Sequence, residues 1–212
     1  MTTLNFALIG AGSIGKMHAK HMARHIDGAK LAAIADVYAD GARACAEQHG
    51  VPRWTTDYRE LLADPSIDAV MVCSATATHA DIVEAAAKAG KHIFCEKPIA
   101  KTLADADRAL NAVQHAGVQF QIGFQRRFDP HFVRVKNAIL NGEMGKPHIA
   151  HLVSRDPGPP GVGPLGLGGG IWFDMSIHDF DVARWLMACE PVSIYTQADV
   201  LIAPGLEQYG EV

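Results

Sequence analysis

Three ionisable residues, Asp174, His178 and Asp181, lie along one side of the largely apolar run GGGIWFDMSIHDFDVARWL at helical spacing. At about 100° per residue they share an arc of roughly 60° on one helix face. Phe173, Ile177 and Phe180 are expected to cover one flank, and Trp185 and Leu186 a second, which predicts a helix buried on most sides. Carboxylates and an imidazole buried in this way must have partners. The chemistry such a set can do is alcohol oxidation. A neutral His178 takes the hydroxyl proton, and Asp174, one turn earlier, orients the ring and stabilises its charged form. From the helix alone, a second reading stays open, in which the Asp and the His satisfy one another in the core.

Lys97 extends the set. The run HIFCEKP carries a buried strand into Glu96-Lys97-Pro98, so Lys97 emerges at a carboxyl end of the sheet, where ligands of open α/β sheets bind. A lysine there favours alkoxide character at a substrate oxygen, although lysines also end strands at plain surfaces.

Oxidation needs a hydride acceptor, and the N-terminus supplies a place for one. Gly10-Ala11-Gly12-Ser13-Ile14-Gly15 matches GxGxxG, with an apolar strand entering and a helix leaving. Gly10 permits the tight turn, Gly12 lets the backbone approach a pyrophosphate, and Gly15 lets helix and strand pack closely. Asp36 closes the second strand 21 residues after Gly15, where a carboxylate accepts hydrogen bonds from the ribose hydroxyls. It would repel a 2′-phosphate, and Val37 and Tyr38 offer no cation to hold one, so NAD is favoured over NADP. Ser13 and Ile14 belong to the loop. Ser74, Thr76 and His79 after the fourth strand, with Glu96 and Lys97 after the fifth, are expected to complete the cofactor site, although a plain helix-start role for His79 is the alternative. His18, His21 and His25 share a helix face, but no carboxylate or cysteine completes a metal set, so no metal is expected.

These residues need particular elements to hold them. Apolar runs alternate with amphipathic stretches: strands at 4–10, 30–36, 68–73, 92–96 and 118–123, helices at 13–25, 38–48, 57–63, 79–89 and 102–115. That βαβ rhythm predicts an α/β fold with a parallel sheet covered by helices on both faces. From about residue 130 the pattern changes to a helix at 130–141, a strand at 147–155, the Ile171-containing helix and a strand at 192–202. The expected domains are therefore 1–124 and 125–212. The segment PGPPGVGPLGLGGG at 157–170 has 11 Pro or Gly among 14 residues, and reads equally as a connector or as a rim to the helix it feeds.

The 212 residues, 49% of them hydrophobic, suffice for one domain and most of a second. A net charge of -4 gives no reason to expect nucleic acid. Four scattered cysteines without a CxxC pair, and no apolar run of membrane-spanning length, predict a soluble protein of the reducing cytoplasm.

Together, GAGSIGKMHA, the acidic end of the second strand, EKP, GFQRRFDP, SRDPGPPG and DMSIHDFDVARWL resemble the glucose-fructose oxidoreductase / inositol dehydrogenase / MocA family, and within it the myo-inositol 2-dehydrogenases. The motifs span residues 7 to 189. The resemblance implies an NAD-binding Rossmann domain followed by an α+β domain with an open mixed or antiparallel sheet, often assembled as dimers or tetramers. It matches Lys97, Asp174 and His178 to the family's catalytic residues, and Arg127 and Asp181 to residues that bind polyol hydroxyls. Gln125 stands where the family more usually has Asn, and the loop after SRDP lacks the usual aromatic and lysine, which bears on substrate choice. The family also continues beyond the position of Val212, which implies an incomplete second sheet. Three functions are compatible with this: oxidation of a cyclic polyol such as myo-inositol to its 2-keto form, oxidation of another inositol isomer or a sugar, and a catalytically silent NAD-binding regulator.

Overall fold

A computed structural model describes residues 3–155 and 171–197. The chain divides into two compact units, Met1–Gly123 and Phe124–Val212. The Pro/Gly segment at 157–170 lies outside the described residues.

In the first unit, six strands form one parallel sheet: β1 (Leu4–Ile9), β2 (Ala29–Ala35), β3 (Arg53–Thr55), β4 (Ala69–Val72), β5 (His92–Cys95) and β6 (Phe120–Ile122). Between them run α1 (Ser13–His25), α2 (Ala39–His49), α3 (Tyr58–Leu62), α4 (Thr76–Lys88) and α5 (Leu103–Ala116). The spatial order is β3-β2-β1-β4-β5-β6, the doubly wound Rossmann order, with its switch point between β1 and β4. Side chains alternate between two cores. Ala7, Ile9, Ala33, Ala35, Val70 and Val72 enter one, and Leu8, Ile34 and Met71 the other. Strands buried on both faces need unbroken apolar runs, which is why AVMV does not alternate, whereas in HIFC His92 is exposed and Phe94 half-buried.

Two elements differ from the sequence reading. β3 has no apolar run to announce it: Arg-Trp-Thr is a three-residue edge strand paired only to β2. Helix α4 begins at Thr76, three residues before the expected start, because its polar first turn, TATH, carries no apolar period.

The second unit contains a 3₁₀ turn (Gln125–Phe128), α6 (Pro130–Leu140), a π turn (Trp172–Ser176) and α7 (Ile177–Met187). Asp129 caps α6 by accepting from the His131 and Phe132 N–H groups, with Pro130 in the first turn, where its missing N–H costs nothing. The strand expected at 147–155 is not a ladder strand. Exposure does alternate from His151 to Arg155, as in an extended chain, but a strand needs a paired neighbour for its N–H and C=O groups. The strand expected at 192–202 also fails over 192–197, which are exposed and irregular, and its remainder lies outside the described residues. Among the described residues, no helix is long and apolar enough to cross a membrane.

One buried cation secures the sheet edge away from the cofactor loop. Lys91 is buried just before β5, and its Nζ donates to the carbonyls of Asp64 (2.6 Å) and Ile67 (2.8 Å). Lys91→Met keeps most of the volume and strands both carbonyls. Urea unfolding should show a loss of about 2–4 kcal/mol. A loss below about 0.5 kcal/mol would mean that water replaces the ammonium without penalty.

Candidate functional site

The cofactor cradle is built on the turn between β1 and α1. Gly10 has φ +99°, and a Cβ there would lie 2.5 Å from the backbone of Cys73 and Ser74. A Cβ on Gly15 would lie 1.9 Å from the Gly10 carbonyl oxygen, so α1 can sit this close to the turn only with glycine at both positions. Over Gly12 nothing lies within 4 Å, leaving the α1 N-terminus open to an anionic group. Asp36, just after β2, accepts from the Ala11 N–H (2.6 Å) and the Tyr38 N–H (2.9 Å). Its carboxylate is thereby held beside the loop, and Val37 and Tyr38 beyond it are strongly exposed. These residues fit a pyrophosphate and an unphosphorylated ribose.

The turn after β5 is anchored to the same helix. Glu96 accepts from His18 of α1 (Nε2 to Oε1, 2.7 Å), and its other oxygen accepts from the Lys97 N–H (3.3 Å). A Cβ on Gly123 would press on this carboxylate at 3.0 Å, so Gly123 makes room for it. Glu96, expected as a cofactor contact, is placed at the Lys97 turn and helps to set it. His18 is its partner, a role the histidine spacing on α1 did not reveal. Burial pushes the thiols of Cys73 and Cys95 well above the ordinary cysteine range, which keeps them inert beside the site.

His79 does not line the nicotinamide side. It is 2% exposed, and its two ring nitrogens lie against the carbonyls of Pro98 and Ser74. The earlier start of α4 moves it from the helix opening into the core. Ser74 and Thr76 stay half-buried at the β4 end of the sheet, with the Ser74 hydroxyl 2.8 Å from that of Thr78.

In the second unit, Asp174, Met175 and His178 line a cavity of about 470 Å³ together with Gln125 and Arg126 of the 3₁₀ turn and Val153, Ser154 and Arg155 of the extended segment. The helix is less buried than its sequence suggested: Phe173 and Phe180 are 44% and 48% exposed, and Asp174 is exposed while His178 is buried. Asp174 lies in the π turn, whose wider winding rotates it away from a pure α register with His178. A polar wall completes the cavity. Arg126 pairs with Asp179 and donates to the Ser154 hydroxyl (3.0 Å), which in turn donates to Asp179 (2.8 Å).

Arg127 and Asp181, expected as polyol contacts, are not among the cavity's lining residues. They hold each other instead: Arg127 Nε donates to both carboxylate oxygens (3.1 and 2.8 Å) and Nη2 to one of them (2.6 Å), with Asp181 only 5% exposed. The carboxylate holds the guanidinium well above its ordinary range. The pair ties the 3₁₀ turn to α7, and Trp185 lies beneath Arg127 and beside Lys136. The spacing of charges along α7 revealed Asp181 but not which face it serves.

Two variants test these assignments. Asp36→Ala should weaken NADH binding about tenfold, the worth of one or two ribose hydrogen bonds, while NADPH affinity holds or rises. Fluorescence titration with both nucleotides reads the ratio, and an equal loss for both would remove the ribose role. Arg127→Leu leaves a buried carboxylate unpaired and should cost about 2–4 kcal/mol in denaturant unfolding. Unchanged stability would return Arg127 to a purely ligand-facing role.

Comparison with known proteins places both units in one family. Residues 4–124 match the model of the oxidoreductase family with the NAD-binding Rossmann fold, and residues 132–212 that of the GFO/IDH/MocA C-terminal domain. Myo-inositol 2-dehydrogenase of Thermotoga maritima is 44% identical over 209 residues, covering 99% of this chain and 62% of the relative. The crystal structure of a probable dehydrogenase from Thermotoga maritima superposes with a TM-score of 0.93 at 44% identity, covering 97% of this chain and 62% of that one. Scyllo-inositol dehydrogenase from Lactobacillus casei, solved with bound NAD(H) and scyllo-inositol, superposes with a TM-score of 0.75 at 29% identity, over 88% of this chain and 57% of that one. The chain spans about three fifths of the length of the curated relatives it matches. With an NAD-binding Rossmann unit and the C-terminal domain that accompanies it, the chain belongs to the GFO/IDH/MocA family of oxidoreductases.

Proposed function

We propose that the protein is an NAD-dependent dehydrogenase that oxidises a secondary hydroxyl of a cyclic polyol, with myo-inositol as the leading substrate and scyllo-inositol or a related sugar as the alternative. The observation that carries this reading is the polar cavity of the second unit, where a histidine and a carboxylate meet a wall of hydrogen-bonding groups in a chain that also holds an NAD loop. The relatives' names support the polyol class, and they include both inositol isomers.

In this reading His178 takes the hydroxyl proton. Its Nδ1 is shut away from solvent, which leaves Nε2 as the nitrogen that receives it. Asp174 stabilises the imidazolium that results, and Lys97 favours alkoxide character at the oxygen being oxidised. NAD, when bound, supplies the hydride acceptor. Gln125, Arg126, Ser154 and Arg155 offer donors and acceptors to the remaining hydroxyls, a density suited to a polyol rather than an apolar alcohol. Arg127 and Asp181 shape the helix that carries His178.

NAD reduction measured with a panel of inositols and sugars should give turnover with at least one cyclic polyol. His178→Ala should then lower kcat about a hundredfold or more while NADH affinity is kept. Because a base must be neutral to accept a proton, kcat should rise with pH and level off once the imidazole is deprotonated. NAD binding without turnover of any polyol overturns this reading in favour of a silent NAD-binding regulator.

A further inference from the structure

The buried ring of His79 joins two turns that no motif connects. Ser74 lies two residues beyond β4, and Pro98 three residues beyond β5, its neighbour in the sheet. The Glu96 N–H to Val72 carbonyl bond (2.9 Å) ties the two strand ends together. Past that bond, His79 reaches the Pro98 carbonyl with Nδ1 (2.8 Å) and the Ser74 carbonyl with Nε2 (2.9 Å). Both partners only accept, so a ring with one N–H donates to one carbonyl at a time, and donation to both needs the imidazolium. A planar five-membered ring fixes the separation of its two nitrogens, and α4 fixes the ring.

We propose that His79 is a positioning residue, a buried strut that sets the Lys97-Pro98 turn against the Ser74 turn and so fixes the width of the nicotinamide end of the cofactor groove. It touches neither cofactor nor substrate. The assignment of Lys97 to the reacting end rests on the dehydrogenase reading above; the strut itself rests on the two ring-to-carbonyl contacts.

The arms are not equivalent. Ser74 is also held to α4 through the hydroxyl of Thr78, and Thr78 in turn bonds the Ala75 carbonyl. The Pro98 arm therefore carries the positioning, and chemistry allows the arms to be separated. An Asn side chain can place its amide nitrogen near the position of Nδ1, whereas Gln can place its nitrogen near that of Nε2. His79→Asn keeps the Pro98 arm and His79→Gln keeps the Ser74 arm.

NADH and ADP-ribose affinities, measured by fluorescence titration and calorimetry on the full chain, should split. His79→Gln and His79→Ala should weaken NADH about tenfold, one hydrogen bond's worth, with ADP-ribose within about twofold, because the adenosine half depends on the Gly10–Gly15 turn and Asp36. His79→Asn should recover most of the NADH affinity. With an active enzyme, His79→Gln should lower kcat while the polyol KM stays near its starting value. Parallel loss of NADH and ADP-ribose affinity, or equal behaviour of Asn and Gln, overturns the strut and leaves His79 a general core residue. If the Ala variant does not fold, the Asn and Gln pair still decides. Absence of polyol turnover in the unaltered chain with the NADH split intact would sink the dehydrogenase reading and leave the strut standing.

Discussion

Helix α1 approaches the turn below it so closely that Gly15 meets the Gly10 carbonyl with no space for a Cβ. Much of the first unit depends on that contact. It brings His18 within 2.7 Å of Glu96, and Glu96 then holds the Lys97 N–H. A larger residue at Gly15 would lift the helix and break the chain of contacts at its first member. The glycines that open a surface for a pyrophosphate thus also set the position of a lysine more than eighty residues later, because helix α1 transmits one to the other as a rigid body.

The second unit works by paired charge. Along α7 and the π turn before it, four of the five ionisable side chains divide between two tasks. Asp174 and His178 line the cavity, whereas Asp179 and Asp181 each take an arginine of the 3₁₀ turn. The bidentate Arg127–Asp181 geometry fixes orientation as well as distance, which a lysine would not do. Arg126 is held by Asp179 and Ser154 but still faces the cavity, so the same pairing that fastens the turn also lines the site.

The sheet was legible in the sequence because parallel strands buried on both faces leave unbroken apolar runs, and the NAD loop because backbone sterics allow few residues but glycine at its turns. β3 was not legible, being a short edge strand with nothing to bury on one side. Helix α7 was legible as a helix, but which charges faced the cavity was not. A π turn and two arginines from another segment decide that, and neither leaves a periodic trace. The same limit explains the histidines. His18 and His79 stand out by type, yet their partners, a carboxylate and two carbonyls, come from the turns that follow β4 and β5, which no motif spacing links to them.

A common logic joins three of these residues. Each holds a turn or side chain beside a candidate site residue: Glu96 the Lys97 turn, His79 the Pro98 carbonyl, Asp181 the arginine beside Arg126. A polar side chain in a packed interior must find a partner, and near a site the partners at hand are the turns that carry the reactive residues. Motif spacing therefore marks the reactive groups and their supports alike. Burial separates them here: Asp174 is exposed to its cavity, whereas His79 and Asp181 are sealed with their bonds already made. His178 is buried and yet lines the cavity, so its place in the cavity wall, not its exposure, sets it apart from the supports.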